Sequence, residues 1–191
     1  MIITLDQNAR MDYRRNWLSG EKIEALLAEI EQLPRQQERI QLYGKWYEQP
    51  RLTAWEGMSW TAESGYREQV PAPDWTPMFV ALRDQLGTEF EIPFNAVLIN
   101  EYRGGADSIG WHADNDPLID QRVIASLSIG GERVFKIRSK RDHSKIYQVP
   151  LGNGDLLIMH NAQTHWEHSI AKTKKNVATR FNLTFRHYPG K

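Results

Sequence analysis

The chain has 191 residues, 40% of them hydrophobic, with 24 lysines and arginines against 24 acidic residues and no cysteine. That length supports one good core and is short for two domains. The zero net charge gives no general attraction to nucleic acid or membrane, and the lack of thiols excludes a disulfide framework and a cysteine-ligated metal. No apolar run approaches a membrane span and the N-terminus lacks a signal-peptide core, so the sequence predicts a soluble, cytoplasmic, single-domain protein over residues 1–191.

Residues 1–17 are mixed and polar, with Arg10, Arg14 and Arg15 near Tyr13 and Trp17, and read as an N-terminal arm or extended lead-in. From Ser19, a suitable N-cap, Ile23, Leu26, Leu27, Ile30 and Leu33 recur at helical spacing until Pro34 stops the pattern. Leu42 to Gly57 alternates aromatic with basic residues, and Gly44 and Pro50 force turns. Rings and cations so placed suit nucleic acid, although a plain β-hairpin has the same pattern. Thr76 and Pro77 then open a second helix, with Met78, Phe79, Leu82 and Leu86 as its apolar side and Gly87 as its end.

After Phe94 the chain becomes strand-rich. Val97, Leu98 and Ile99 begin a strand on which Asn100 and Tyr102 share a face, and Gly104-Gly105 ends it. A short extended segment follows with His112 and Asp114. Residues two apart on an extended chain point the same way, so this imidazole and carboxylate can grip one ion from one side, as in a 2-His-1-carboxylate site for non-haem Fe(II). Further strands are predicted over Val123 to Ile129, Val134 to Ile137, Ile146 to Val149 and Asp155 to Met159. Basic loops at 138–145 and 172–175 are candidates for phosphate contact. Thr164-His-Trp-Glu-His-Ser169 offers His165 and His168 as the third ligand, and spacing does not choose between them. In Ala178 to Tyr188, Phe181, Leu183 and Phe185 alternate with Arg180, Asn182, Thr184 and Arg186, and two arginines bracketing Asn and Thr suggest a pocket for an anion. Two helices followed by a run of strands indicate an α+β arrangement or a helix-backed sandwich.

Together, Asn100-x-Tyr102, His112-x-Asp114, a histidine directly before Ser169 and Arg180-x-Asn182-x-Thr184-x-Arg186 resemble the AlkB family of Fe(II)- and 2-oxoglutarate-dependent dioxygenases, over about Leu42 to Arg186. The resemblance implies a double-stranded β-helix, a jelly-roll core over 94–188 backed by two N-terminal helices. It implies Fe(II) held by His112, Asp114 and His168. It further implies 2-oxoglutarate and O2 as co-substrates, with Arg180 and Tyr102 on the distal carboxylate and Asn100, Asn182, Thr184 and Arg186 steadying the rest.

Residues 40–66 resemble the nucleotide-recognition segment of the duplex-acting, AlkB homolog 2-like branch. By that match Leu42 and Tyr43 form a wedge before Gly44-Lys45-Trp46 that fills the gap left by an extruded base, and Arg51 holds nearby backbone or the opposite strand. Trp60 is the candidate for stacking on the base. Asn115 and Asp116 stand where the family has two acidic residues, and Asp116 is placed to accept from an exocyclic amine. The implied function is DNA repair by oxidative demethylation of 1-methyladenine or 3-methylcytosine, on double-stranded DNA, by a monomer. The competing readings are the same chemistry on RNA, protein or lipid, a lesion-binding module without turnover, and a zinc hydrolase.

Overall fold

Alternation of apolar and polar residues carries most of this chain into strands, and the order in which the strands pair builds the site. The computed structural model describes residues 1–42, 44–57 and 74–189, and of Leu42 the backbone alone. The expectations placed on Tyr43 and Trp60 lie outside the described residues.

The chain opens with β1 (Ile2–Thr4) and β2 (Arg10–Arg14), followed by α1 (Glu21–Gln32), β3 (Arg39–Leu42), β4 (Lys45–Glu48), β5 (Leu52–Gly57) and α2 (Pro77–Phe90). The remainder is all strand: β6 (Ala96–Tyr102), β7 (Ile109–His112), β8 (Val123–Gly130), β9 (Arg133–Ser139), β10 (Ile146–Leu151), β11 (Asp155–His160), β12 (Trp166–Ile170) and β13 (Arg180–Arg186). Seven strands form one sheet in the order β1-β2-β11-β8-β13-β6-β5, and four form a second in the order β10-β9-β12-β7. Among the described residues β3 and β4 pair only with each other. Every pairing is antiparallel.

The described residues are therefore mostly sheet with two helices, an arrangement consistent with the expected jelly-roll core. The helices, however, are not an N-terminal pair. Residues 1–17 are no loose arm: Met11 and Tyr13 pack inward while β2 pairs along β11, so two strands precede α1. Three more strands separate α1 from α2. Among the described residues no helix is long and apolar enough to cross a membrane.

Each face of the large sheet has its own core. On one face Ile23, Leu26 and Ile30 of α1 and Phe79, Leu82 and Leu86 of α2 pack against Val97, Ile99, Leu127 and Leu183. Full burial of each such side chain contributes about 1.5–3 kcal/mol. On the other face Met11, Leu157 and Met159 meet Phe135, Ile137, Val149 and Trp166 of the small sheet. The helix ends differ from the sequence pattern. Gly20, with φ of 57°, stands at the start of α1 where Ser19 was the expected cap. α2 begins at Pro77 as expected but continues past Gly87 to Phe90, where Glu91 turns left-handed. The Thr76 side chain does not cap α2. The Glu29 carboxylate of α1 accepts the Met78 N–H instead, at 2.9 Å, a negative group at the positive end of a helix.

Register converts sequence spacing into rows across the large sheet. Trp55 pairs with Leu98, Leu98 with Thr184, and Thr184 with Ser126. The next row holds Thr53, Asn100, Asn182 and Ser128, and the one beyond it Tyr102 and Arg180. With a side-chain period of two, all of these turn toward the small sheet.

Candidate metal and co-substrate site

The small sheet supplies the counterpart to those rows. β12 pairs antiparallel with β7 so that His168 lies directly opposite His112, and Asp114 follows just past the end of β7. The imidazole rings are 4.2 Å apart between centroids, and one ligand atom each from His112, Asp114 and His168 falls within 4.8 Å of the other two. His165 is exposed and outside this cluster. The choice that spacing left open is settled by register, because His168 faces inward on β12.

The protonation states suit a divalent cation. Burial lowers the His168 pKa to about 3 and lowers that of His112, so both rings are neutral at pH 7. His112 Nδ1 lies 2.9 Å from the Gly110 carbonyl. A carbonyl only accepts, so Nδ1 carries the proton and Nε2 keeps a lone pair for metal. Burial alone would raise the Asp114 pKa, yet Arg186 and the two histidines outweigh it and hold the carboxyl below the usual carboxylate range. Two further contacts fix the geometry. The Asp114 N–H donates to buried Gln163 Oε1 at 2.9 Å, and Phe135 stacks on the His168 ring at 5.2 Å.

Between the sheets lies a cavity of about 630 Å³ lined by the three ligands together with Asn100, Tyr102, Arg180, Asn182, Thr184 and Arg186. All six residues expected to contact a co-substrate are thus brought together. Arg180 is 1% exposed and donates through Nη2 to Ser128 Oγ, while its Nε and Nη1 have no hydrogen-bond partner among the described residues. Burial lowers its pKa to about 10. Arg186 Nε is likewise buried without a partner. Buried donors of this kind are costly unless something fills them. Orphaned guanidinium N–H groups beside a two-histidine, one-carboxylate cluster fit a dianion such as 2-oxoglutarate together with Fe(II). Buried Arg133 donates to the carbonyls of Gly104, Asp107 and Ala171, tying down the loops beside Tyr102.

The residues expected to contact substrate are more scattered. Asn115 and Asp116 line the cavity, and Asp116 Oδ1 accepts the Leu118 N–H at 2.9 Å, which shapes the loop after the metal ligands. Gly44 and Lys45 are exposed on the β3–β4 hairpin. Arg51 requires correction. It was expected to reach nucleic-acid backbone, but it is 3% exposed, lines the cavity and donates from Nε to Asn100 Oδ1 at 2.7 Å. The reason is that β5 joins β6 in the large sheet, which turns Arg51 and Trp55 inward. Three cations of the basic 138–145 loop have internal partners: Arg138 on Glu167, Lys145 on Asp6, and Lys140 on the carbonyls of Gln163 and Thr164.

Sequence reasoning missed Trp55, Ser126, Ser128, Phe135 and Gln163. The serines carried a signal, since Ser126 and Ser128 alternate with Leu127 and Ile129 in an otherwise apolar strand. Gln163 carried none.

A sequence model of the 2OG-Fe(II) oxygenase superfamily matches residues 10–186. The chain is 39% identical over 151 residues to the alpha-ketoglutarate-dependent dioxygenase alkB homolog 3 of Bos taurus, covering 73% of this chain and 52% of that protein. It is 35% identical over 177 residues to the DNA oxidative demethylase ALKBH2 of Homo sapiens, covering 88% of this chain and 68% of that protein. The chain thus spans about half the length of the first of these relatives and two thirds of the second. The structure of OsALKBH1 matches with a TM-score of 0.70 at 17% identity, over 98% of this chain and 100% of that one, a likeness of fold.

Proposed function

This chain belongs to the 2OG-Fe(II) oxygenase superfamily and, within it, to the AlkB family on its ALKBH2-like branch, and from that premise we propose that it is a DNA repair dioxygenase removing methyl groups from N-alkylated bases such as 1-methyladenine and 3-methylcytosine. The observation that carries the proposal is the His112, Asp114, His168 cluster set in the same cavity as two unpaired N–H groups of Arg180.

When bound, Fe(II) with 2-oxoglutarate and dioxygen supplies the oxidation of the methyl carbon, which leaves as formaldehyde while 2-oxoglutarate becomes succinate and CO2. The residues do the rest. His112, Asp114 and His168 would hold the ion, one ligand atom from each lying within 4.8 Å of the others at the cavity. Arg180 Nε and Nη1 would donate to the distal carboxylate of 2-oxoglutarate, with Tyr102 beside them. Asn100, Asn182 and Thr184 line the remaining length, and Arg186 keeps Asp114 oriented. Trp55, Leu98 and Ile109 form an apolar wall that keeps water from the reacting carbon. The β3–β4 hairpin, with Trp46 and Tyr47 exposed, is the surface that meets nucleic acid.

We read residues 1–191 as one dioxygenase domain, monomeric and cytoplasmic, acting on double-stranded DNA. Both relatives are named for AlkB-type dioxygenases, and one of them for DNA demethylation. The test is mass spectrometry of a duplex oligonucleotide bearing 1-methyladenine, incubated with protein, Fe(II), 2-oxoglutarate and air, beside its single strand and an RNA of the same sequence. Loss of one methylene unit from DNA, dependent on 2-oxoglutarate and absent in His168→Ala, supports the proposal. Succinate formation with all three polymers left methylated rejects the substrate, and no succinate rejects the chemistry.

A further inference from the structure

The β3–β4 hairpin is tied to the molecule at its root. Its strands hydrogen-bond to each other, β4 is exposed along its length, and Arg39 covers one face of Trp46 at 5.5 Å. At the base, Glu38 and Gln49 face each other just before β3 and just after β4. The Gln49 N–H donates to the Glu38 carbonyl at 2.9 Å, and Gln49 Nε2 donates to Glu38 Oε2 at 3.2 Å. The other carboxyl oxygen of Glu38 turns to the sheet. Oε1 accepts from Thr53 Oγ1 at 2.8 Å and from the Trp55 indole N–H at 3.4 Å. Gln36 and Thr53 complete the attachment with a pair of backbone bonds.

Glu38 is 5% exposed, and its side-chain donors among the described residues are all neutral. A buried carboxyl group served by an amide, a hydroxyl and an indole is an expensive way to hold a hairpin, since apolar packing would do so without desolvating an acid. What apolar packing lacks is direction. Through one side chain, Glu38 sets both the angle at which the hairpin leaves the sheet and the rotation of Trp55, whose ring forms the cavity wall and lies 5.7 Å from the Arg186 guanidinium. The same Gln49 leads through Pro50 to Arg51, which enters the cavity.

The geometry points to Glu38 as a positioning residue that keeps the hairpin and the Trp55 wall in one register, so that nucleic acid gripped outside presents its base to the metal ligands within. This rests on the function proposed above. Glu38 touches neither the metal ligands nor the cavity, so 2-oxoglutarate turnover without nucleic acid does not depend on it.

The experiment compares wild type, Glu38→Ala, Glu38→Gln and Thr53→Val, each with Fe(II) and 2-oxoglutarate. Three quantities are read: succinate formed without oligonucleotide, methyl groups removed per succinate with a 1-methyladenine duplex, and fluorescence anisotropy of methylated against unmethylated duplex. Glu38→Ala is expected to keep succinate formation while methyl removal per succinate falls about tenfold or more, the scale of a small misplacement at a reacting centre. It is also expected to lose its preference for the methylated duplex. Glu38→Gln retains an acceptor for Thr53 and Trp55, with the Gln49 amide free to reverse, and restores most of both; Thr53→Val falls between. Equal loss of succinate and demethylation in Glu38→Ala would reduce the residue to a structural prop and overturn the inference, as would wild-type coupling. If wild type forms no succinate, the dioxygenase reading fails, and the anisotropy arm alone then decides whether Glu38 orients the hairpin.

Discussion

Arg186 Nη2 lies 3.0 Å from Asp114 Oδ1, with side-chain exposures of 7% and 11%. Asp114 is a ligand candidate and Arg186 ends β13, so this ion pair joins the loop after β7, an edge strand of the small sheet, to the strand that carries the candidate anion-binding residues. An arginine in this position orients the carboxylate. Arg186→Met is expected to weaken metal binding by about 10- to 100-fold, the usual cost of losing such a supporting contact. Titration of apo-protein with Co(II), followed by its visible absorption, measures this without turnover. Arg186→Lys keeps the charge without the planar fork and should recover part of the loss.

Metal and co-substrate should stabilise the fold together. Binding at 100 times the dissociation constant adds about 2.7 kcal/mol to unfolding. Thermal unfolding under nitrogen is therefore expected to shift upward with Mn(II) and 2-oxoglutarate, and to return on adding a chelator. In His168→Ala the shift should vanish, and a shift of undiminished size would remove His168 from the ligand set.

Arg180 holds a buried charge with two unfilled N–H groups, and burial has lowered its pKa to about 10. Arg180→Met should therefore leave the free protein as stable as wild type or more so, because it removes a desolvated cation. The same change deletes charge-assisted hydrogen bonds of about 1.5–3 kcal/mol each. The KM for 2-oxoglutarate is expected to rise by about two orders of magnitude, with stabilisation by 2-oxoglutarate lost. A variant that unfolds in the absence of ligand would contradict this account.

Glu56 sits on the helix side of the large sheet, where Thr76 Oγ1 contacts both it and Glu29. A hydroxyl has one proton to give, so serving two carboxyl groups is easiest when one of them is protonated. Burial raises the Glu56 pKa from 4.5 to about 7 against the pull of the Thr76 donors. The folded state binds this proton more tightly than the unfolded state. The associated stability is complete below the unfolded value of 4.5 and is lost as pH rises through about 7. Urea unfolding from pH 5.5 to 8 should show wild type losing roughly 2 kcal/mol relative to Glu56→Gln. Parallel pH profiles for the two would refute the assignment.

The residues that were easiest to read had their partners close in sequence. His112 and Asp114 are two apart, and Arg180, Asn182, Thr184 and Arg186 share one face of one strand, so period alone aligned them. The third ligand needed a pairing that sequence does not print: His168 is opposite His112 only because β12 runs beside β7. Arg51 was misplaced for the same reason. Its segment looked like part of an exposed hairpin, and the pairing of β5 with β6 put it inside. The N-terminal strands were hidden by their polarity, since Arg10, Asp12 and Arg14 alternate with Met11 and Tyr13 and lie on the helix side, where Arg14 meets Glu89 and Phe90 of α2. The helices were anticipated from their apolar spacing, but the group capping α2 comes from Glu29 on the other helix, beyond the reach of any local signal.

The rows across the large sheet have a consequence for how this protein can change over evolutionary time. Because Arg180, Asn182, Thr184 and Arg186 reach the cavity through a strict alternation, an insertion or deletion of a single residue within β13 would reverse the faces of every residue on one side of it, turning Arg180 or Arg186 to the helices and bringing apolar side chains against the ligands. Such a chain could not keep half of its chemistry. Length variation among descendants should therefore gather in the β3–β4 hairpin and in the loop joining β9 to β10, leaving substrate choice open to drift while the reaction itself is inherited whole or lost.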